Sequence, residues 1–288
     1  MRYVELYPGI SSSVLGFGCA PIMGSVDGTT ARRALAIALE EGITHFDVAR
    51  SYGFGEAERV LGECVRHRRH HVVIASKFGI VATSAATVLR IFKPAVRLVK
   101  QRQSHTSHLS NKTSKPKKTG LQSFPGNILL KRVQLQPVAM KKSIDTSLRE
   151  LKTDYLDYLF LHEPLKPIME IEHLFEAANQ LKREGKIRAF GLAFKQEQAG
   201  WHTNYLSRFD VLQMNNSPLR ADYSNLKVQR QALPTFFFSP FHGSTAFPEA
   251  NRPKCSEILR RMQVDFPQSA ILVSMFCEAH IRENARVL

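Results

Sequence analysis

Asp47, Tyr52, Lys77 and His162 span 115 positions of the chain, yet each stands at or just past the end of an apolar run that reads as a β-strand. Residues so far apart meet when several strands open their carboxyl ends onto one rim, as in a (β/α)8 barrel. A carboxylate, a phenol, an ammonium and an imidazole on such a rim suit protonation of a carbonyl oxygen while a cofactor delivers hydride. A free phenol titrates near pH 10, and an ammonium within about 4 to 6 Å lowers that value by roughly 1 to 3 units. Lys77 is therefore expected to acidify Tyr52, the proton donor. Asp47 would keep Lys77 charged and in place, and His162 would orient the carbonyl and stabilise the developing oxyanion. Each residue alone has a plainer reading, Tyr52 and Asp47 as turn or packing groups and His162 as a satisfied loop histidine. The joint arrangement weighs against it.

The elements that must position these groups follow from hydrophobic patterning. Apolar runs at Val14–Phe17, His45–Ala49, Val72–Ser76, Tyr155–Leu161, Ala189–Phe194, Val211–Met214, Thr235–Phe238 and Ile271–Met275 predict eight strands. Helical patterns lie between them at Thr29–Glu41, with Thr29 as N-cap and Gly42 as stop, and at Glu56–Val65, Met140–Leu151, Ile171–Glu184 and Cys255–Gln263. A short terminal helix is read over Ile281–Leu288. Strands alternating with helices imply a parallel sheet, and eight such units favour an α/β fold closed into a (β/α)8 TIM barrel. With 288 residues and 43% hydrophobic side chains, the chain suits one barrel domain over residues 1–288. A doubly wound sheet is the alternative, but Gly16-Phe17-Gly18 falls short of the glycine-rich dinucleotide fingerprint.

Charge is concentrated in one stretch. Residues 64–144 contain no acidic residue and hold 17 of the 40 lysines and arginines, which makes the net charge +15. A basic insertion is therefore expected after the third barrel strand at about residues 84–136, with its polar core at 100–127 predicted to be mobile and dispensable for folding. Arg90, Lys93, Arg97 and Lys100 recur at helical spacing opposite apolar residues, so contact with a membrane surface or a protein partner is weighed for this insertion. Lys115–Lys118 are weighed for nucleic acid, but a solvated loop is preferred and no nucleic-acid partner is expected. Cys19, Cys64, Cys255 and Cys277 show no metal-ligand spacing, so no metal site and reduced thiols are expected. Neither a signal sequence nor an apolar stretch of about 18 residues appears, and the reading is a cytoplasmic protein.

The segments HFDVARSYGFGEAERVLGE, VVIASKFG, LKTDYLDYLFLHEP, GKIRAFGLAF, VLQMNNSPL, FFFSPF and HIREN resemble, in order, the strand-end motifs of the aldo-keto reductases. The resemblance implies that Asp47, Tyr52, Lys77 and His162 are a catalytic tetrad. It also implies NADP as cofactor, with NAD as the alternative, and a small carbonyl compound as substrate. Gln213 would hold the nicotinamide carboxamide, Phe238 would stack on its ring, Ser239 and Phe241 would lie near the pyrophosphate, and Ser274, His280, Glu283 and Asn284 would lie at the adenine end. The chain departs from the pattern at Ala193 and Phe194, where a Ser-Asn pair usually grips the carboxamide. Each lost hydrogen bond is worth about 1 kcal/mol. Ser274, Met275 and His280 stand where Lys, Ser and Arg often hold a 2′-phosphate. Phe54, Phe78 and Met23 are candidate pocket walls, and the pocket is expected to be open at its C-terminal side. A catalytically degenerate barrel that senses cofactor or binds a partner is the alternative function.

Overall fold

The computed structural model describes residues 1–83, 85–86, 129–221, 223, 234–243 and 253–288. The barrel predicted from the eight apolar runs is present. An antiparallel hairpin, β1 (Tyr3–Tyr7) and β2 (Ile10–Ser13), precedes it. The described elements continue as β3 (Leu15–Gly18), α1 (Gly28–Glu40), β4 (His45–Asp47), α2 (Ala57–Val65) and β5 (Val73–Phe78). A short pair follows, β6 (Ile80–Ala82) and β7 (Leu130–Arg132), and then α3 (Pro137–Leu151), β8 (Leu156–His162), α4 (Ile171–Arg183) and β9 (Ile187–Phe194). The chain ends with the short α5 (Ala199–His202), β10 (Val211–Asn215), β11 (Thr235–Phe238), α6 (Cys255–Asp265), β12 (Ser269–Val273) and α7 (Glu278–Val287). Strands β3, β4, β5, β8, β9, β10, β11 and β12 pair in parallel in that order, and β12 closes onto β3. Among the described residues no helix is long and apolar enough to cross a membrane.

Local chemistry accounts for most boundaries. Asp27, not Thr29, caps α1, its carboxylate accepting the backbone N–H groups of Thr29 and Thr30 at 2.9 and 3.1 Å. Helix α3 begins three residues earlier than its apolar pattern because Pro137, lacking an N–H, suits the first helical turn. Leu130–Arg132 form an antiparallel strand with Ile80–Ala82, so residues 130–132 are ordered backbone rather than structureless chain. Residues 84 and 87–128, which carry the predicted mobile segment and the basic helix, lie outside the described residues.

The interior separates into two apolar zones. Ile74, Leu159, Leu161, Leu192 and Leu212 belong to the layer between strands and helices. Val73, Tyr158, Phe160, Phe236 and Leu272 belong to a second cluster inside the barrel, joined by Val4, Leu6 and Ile10 of the N-terminal hairpin. The hairpin, which periodicity did not reveal, thereby buries apolar residues against the interior of the barrel.

His45 lies in that interior, its ring 4.4 Å from Phe236 and 6.0 Å from Tyr158, and neither ring nitrogen has a hydrogen-bond partner among the described residues. Burial, reinforced by the Lys77 charge, pushes its pKa from the usual 6.5 to about 3. Folding thus favours neutral His45, so its contribution is complete above about pH 6.5 and is lost as the pH falls toward 3. His45→Leu, similar in volume and free of unpaired nitrogens, is expected to hold stability at neutral pH and to flatten the decline between these limits. Urea midpoints measured across that range would show it, and an unchanged acid slope would count against the assignment.

Candidate active site

The four residues singled out by spacing converge at the carboxyl ends of the strands. Asp47 ends β4, Lys77 stands one residue before the end of β5, His162 ends β8, and Tyr52 occupies the turn between β4 and α2. Lys77 Nζ donates to both oxygens of Asp47 at 2.7 and 2.6 Å, to the Val48 carbonyl at 3.2 Å and to the Tyr52 hydroxyl at 3.3 Å. The Tyr52 and His162 rings meet edge to face with centroids 6.1 Å apart. All four line one cavity of about 430 Å³.

The turn carrying Tyr52 is tied to the barrel. Arg50 Nη1 donates to Glu58 Oε2 at 2.7 Å, and Ser76 Oγ, beside Lys77, donates to Glu58 Oε1 at 2.7 Å. Glu58 is fully buried on α2 and anchors both neighbours. Gly53 has φ +57°, and a β-carbon there would lie 2.3 Å from the Ile22 carbonyl oxygen, so the turn's close approach to the β3–α1 loop requires glycine. On the other flank, Arg132 Nη1 donates to the Glu163 carbonyl at 2.5 Å and to the His162 carbonyl at 3.5 Å. Gly79 packs against the backbone of His162, and Glu163 adopts a left-handed φ of 45°.

These surroundings set the charges. Burial pulls the Lys77 pKa down, but Asp47 and Tyr52 outweigh it and hold the ammonium above its ordinary value. Burial pushes Tyr52 up to about 12, against the pull of Lys77 and with the help of Asp47. The expected acidification of Tyr52 is thus reversed in the free site, because desolvation of the phenolate exceeds the attraction of an ammonium that Asp47 already neutralises. His162 is held neutral, well below 6.5, by burial and by the charges of Lys77 and Arg132. Its Nδ1 is buried without a partner among the described residues.

The residues expected at a cofactor divide into two sets. Gln213, Phe238, Ser239, Phe241 and Ser274 line the same cavity as the tetrad. Gln213 Nε2 donates to Asp47 Oδ1 at 2.7 Å, while its Oε1 is buried without a partner among the described residues. Ser239 adopts a left-handed φ of 56°, and Ser274 Oγ donates to the Gly18 carbonyl at 2.9 Å. His280 and Glu283 are exposed on α7, outside the lining, and Asn284 is buried with its amide 3.2 Å from Met275 Sδ. Ala193 lines the cavity, but Phe194 is fully buried on the outer side of β9, its ring 6.0 Å from His202. Of the candidate walls, Phe78 is fully buried core and neither Met23 nor Phe54 lines the cavity.

Two positioning residues and one contact escaped sequence reasoning. Glu58 left a signal, a carboxylate on the apolar face of α2 between Ala57 and Val60. Arg132 left none, because its partners are backbone carbonyls. The Gln213–Asp47 contact, across 166 positions, left none either.

Asp47→Asn is expected to destabilise the protein by about 3 to 5 kcal/mol, because it strands a buried ammonium, and to lower the pH at which Lys77 loses its proton. Adding Lys77→Met should recover much of that loss. Denaturation of the single and double variants checks both statements, and a single variant as stable as the parent would show that the pair is not desolvated.

Comparison with known proteins is consistent with this geometry. The profile of the Aldo/keto reductase family matches residues 14–269. The "Uncharacterized oxidoreductase YcsN" of Bacillus subtilis is 30% identical over 222 residues, covering 73% of this chain and 60% of that protein. "Aldo-keto reductase YhdN" of the same organism is 26% identical over 206 residues, covering 69% and 49%. The chain thus spans about half to three-fifths of the length of these relatives. An aldo-keto reductase from Klebsiella pneumoniae, solved in complex with NADPH, shares the fold with a TM-score of 0.65 at 20% identity, covering 99% of this chain and 89% of that one.

Proposed function

The chain belongs to the aldo/keto reductase family, and from that membership we propose that it reduces an aldehyde or ketone to an alcohol with a nicotinamide cofactor, Tyr52 giving the proton. The observation that carries the reading is the contact of Lys77 Nζ with Asp47 and Tyr52 together. At neutral pH Tyr52, with its pKa near 12, is fully protonated and available as an acid. As its proton leaves, the phenolate forms 3.3 Å from an ammonium that is already in place, so Lys77 acts on the charge that develops. Neutral His162 donates a hydrogen bond to the carbonyl oxygen from one ring nitrogen and does not compete as the acid.

The residues present fit the cofactor. Gln213 Oε1, buried and unpaired among the described residues, is an acceptor suited to a carboxamide N–H, and Phe238 offers an aromatic face beside it. When bound, the dihydronicotinamide supplies hydride. NADPH is proposed, with NADH as the alternative, and discrimination is expected to be weak because Ser274 is neutral and His280 is exposed. The departure at position 194 does not favour a degenerate barrel, since Phe194 lies outside the cavity.

Tyr52→Phe is expected to reduce turnover by about 10² or more while retaining cofactor binding, measured by fluorescence titration with NADPH and NADH. Full activity in this variant would overturn the assignment. Ala193→Ser should tighten cofactor binding by about 1 kcal/mol, close to fivefold, whereas Phe194→Asn should lower stability without tightening it. Equal gains from both variants would place Phe194 at the cofactor after all.

A further inference from the structure

A second cavity, of about 690 Å³, adjoins the tetrad on the side away from Gln213 and Phe238. It lies between the loop after β8 and the segment that follows β7, and His162 lines both cavities. Two of its lining groups are cations, Arg132 and Lys166, and both are exposed. Neither has a carboxylate partner among the described residues. The acid on its lining, Glu170, lies 3.9 Å from His173 Nδ1 at the start of α4. Between the charges the surface is apolar, with Leu135, Leu165 and Met169, the last two 49% and 91% exposed.

Arg132 is fixed in place, because its Nη1 is held by the carbonyls of His162 and Glu163. The remaining donors of its guanidinium are not used by those carbonyls, and a guanidinium matches a planar or tetrahedral oxyanion with two parallel hydrogen bonds. Lys166, on a flexible stem, adds a second charge to the same lining. A carbonyl compound held at the tetrad and extending past His162 would enter a cavity lined by these apolar side chains and by both cations.

We propose that this second cavity is a recognition subsite for an oxyanion on the substrate, the anion held by Arg132 and Lys166 and the body of the molecule packed over Leu135, Leu165 and Met169. The preferred substrates are then carbonyl compounds that carry a carboxylate or a phosphate at the end remote from the reacting group. This rests on the carbonyl-reductase reading above for the reaction, but binding of the anion does not depend on turnover.

The test compares 4-formylbenzoate, 4-formylphenyl phosphate and uncharged methyl 4-formylbenzoate as substrates of the parent, Lys166→Glu and Lys166→Arg. Calorimetry with non-reducible 4-methylbenzoate runs alongside. The parent is expected to favour the charged aldehydes in kcat/KM, and Lys166→Glu to lower the charged-to-ester ratio about tenfold, whereas Lys166→Arg keeps it. Binding of 4-methylbenzoate should weaken at least fivefold in Lys166→Glu and with added salt. A larger ratio for the phosphate than for the carboxylate supports the subsite and assigns it to phosphate, and the reverse assigns it to carboxylate. A ratio that does not change across the Lys166 variants, or 4-methylbenzoate binding indifferent to Lys166, overturns the subsite. Failure to reduce any of the three aldehydes would overturn the reductase reading instead, and the calorimetric result would still decide the subsite.

Discussion

The buried ion pair between Lys77 and Asp47 is the interaction on which the site depends. Withdrawing two charges from water costs several kcal/mol each, and their attraction repays this only when geometry and additional hydrogen bonds are good. Here both carboxylate oxygens receive the ammonium, the Val48 carbonyl accepts from the same Nζ, and Gln213 donates to Asp47 from the opposite side of the barrel mouth. Such a cluster needs strands whose carboxyl ends face one another across a closed rim. β4 and β5 are neighbours, in register at Asp47 and Ala75, whereas Gln213 arrives from β10. The barrel supplies the convergence, and the pair gives the carboxyl end of the barrel a polar purpose that an apolar core would not.

Around this pair the other two groups are held by loops, which need their own restraints. Tyr52 rides on a turn with three consecutive positive-φ residues, Gly53, Phe54 and Gly55, fastened through the Arg50–Glu58–Ser76 contacts to the strand that carries Lys77. His162 sits immediately before Glu163, whose left-handed φ is uncommon for a residue with a β-carbon and is retained because the surrounding contacts over-determine it. Arg132 holds that carbonyl, and the short β6–β7 pair brings Arg132 there. The described part of the segment after β5 therefore has a mechanical role in the site.

Periodicity exposed the barrel well, because strands buried on both faces read as short apolar runs and each of the eight was separable from its neighbours. The tetrad was legible for a related reason: polar residues directly after such runs are conspicuous. What remained hidden has a common physical character. The hairpin of Tyr3–Tyr7 and Ile10–Ser13 alternates weakly, since Ser11, Ser12 and Ser13 interrupt it. The direction of a side chain at the last strand position is not encoded in its type, so the resemblance sets position 194 beside the carboxamide, whereas β9 turns Phe194 toward His202. The Tyr52 shift depends on how strongly burial opposes a charge already compensated by Asp47, a balance of three-dimensional distances that no spacing reports.

The electrostatics of the rim bear on the roles proposed for Tyr52 and His162. Burial above all, helped by the charges of Lys77 and Arg132, keeps the His162 imidazole neutral, and burial likewise keeps the Tyr52 phenol protonated. A protonated His162 would be the stronger acid and would take over proton delivery. In the proposed reaction its suppression leaves Tyr52 as the group able to lose a proton next to a fixed ammonium. In the proposed reaction, desolvation therefore selects the acid, and the ammonium stabilises the phenolate that its proton transfer leaves.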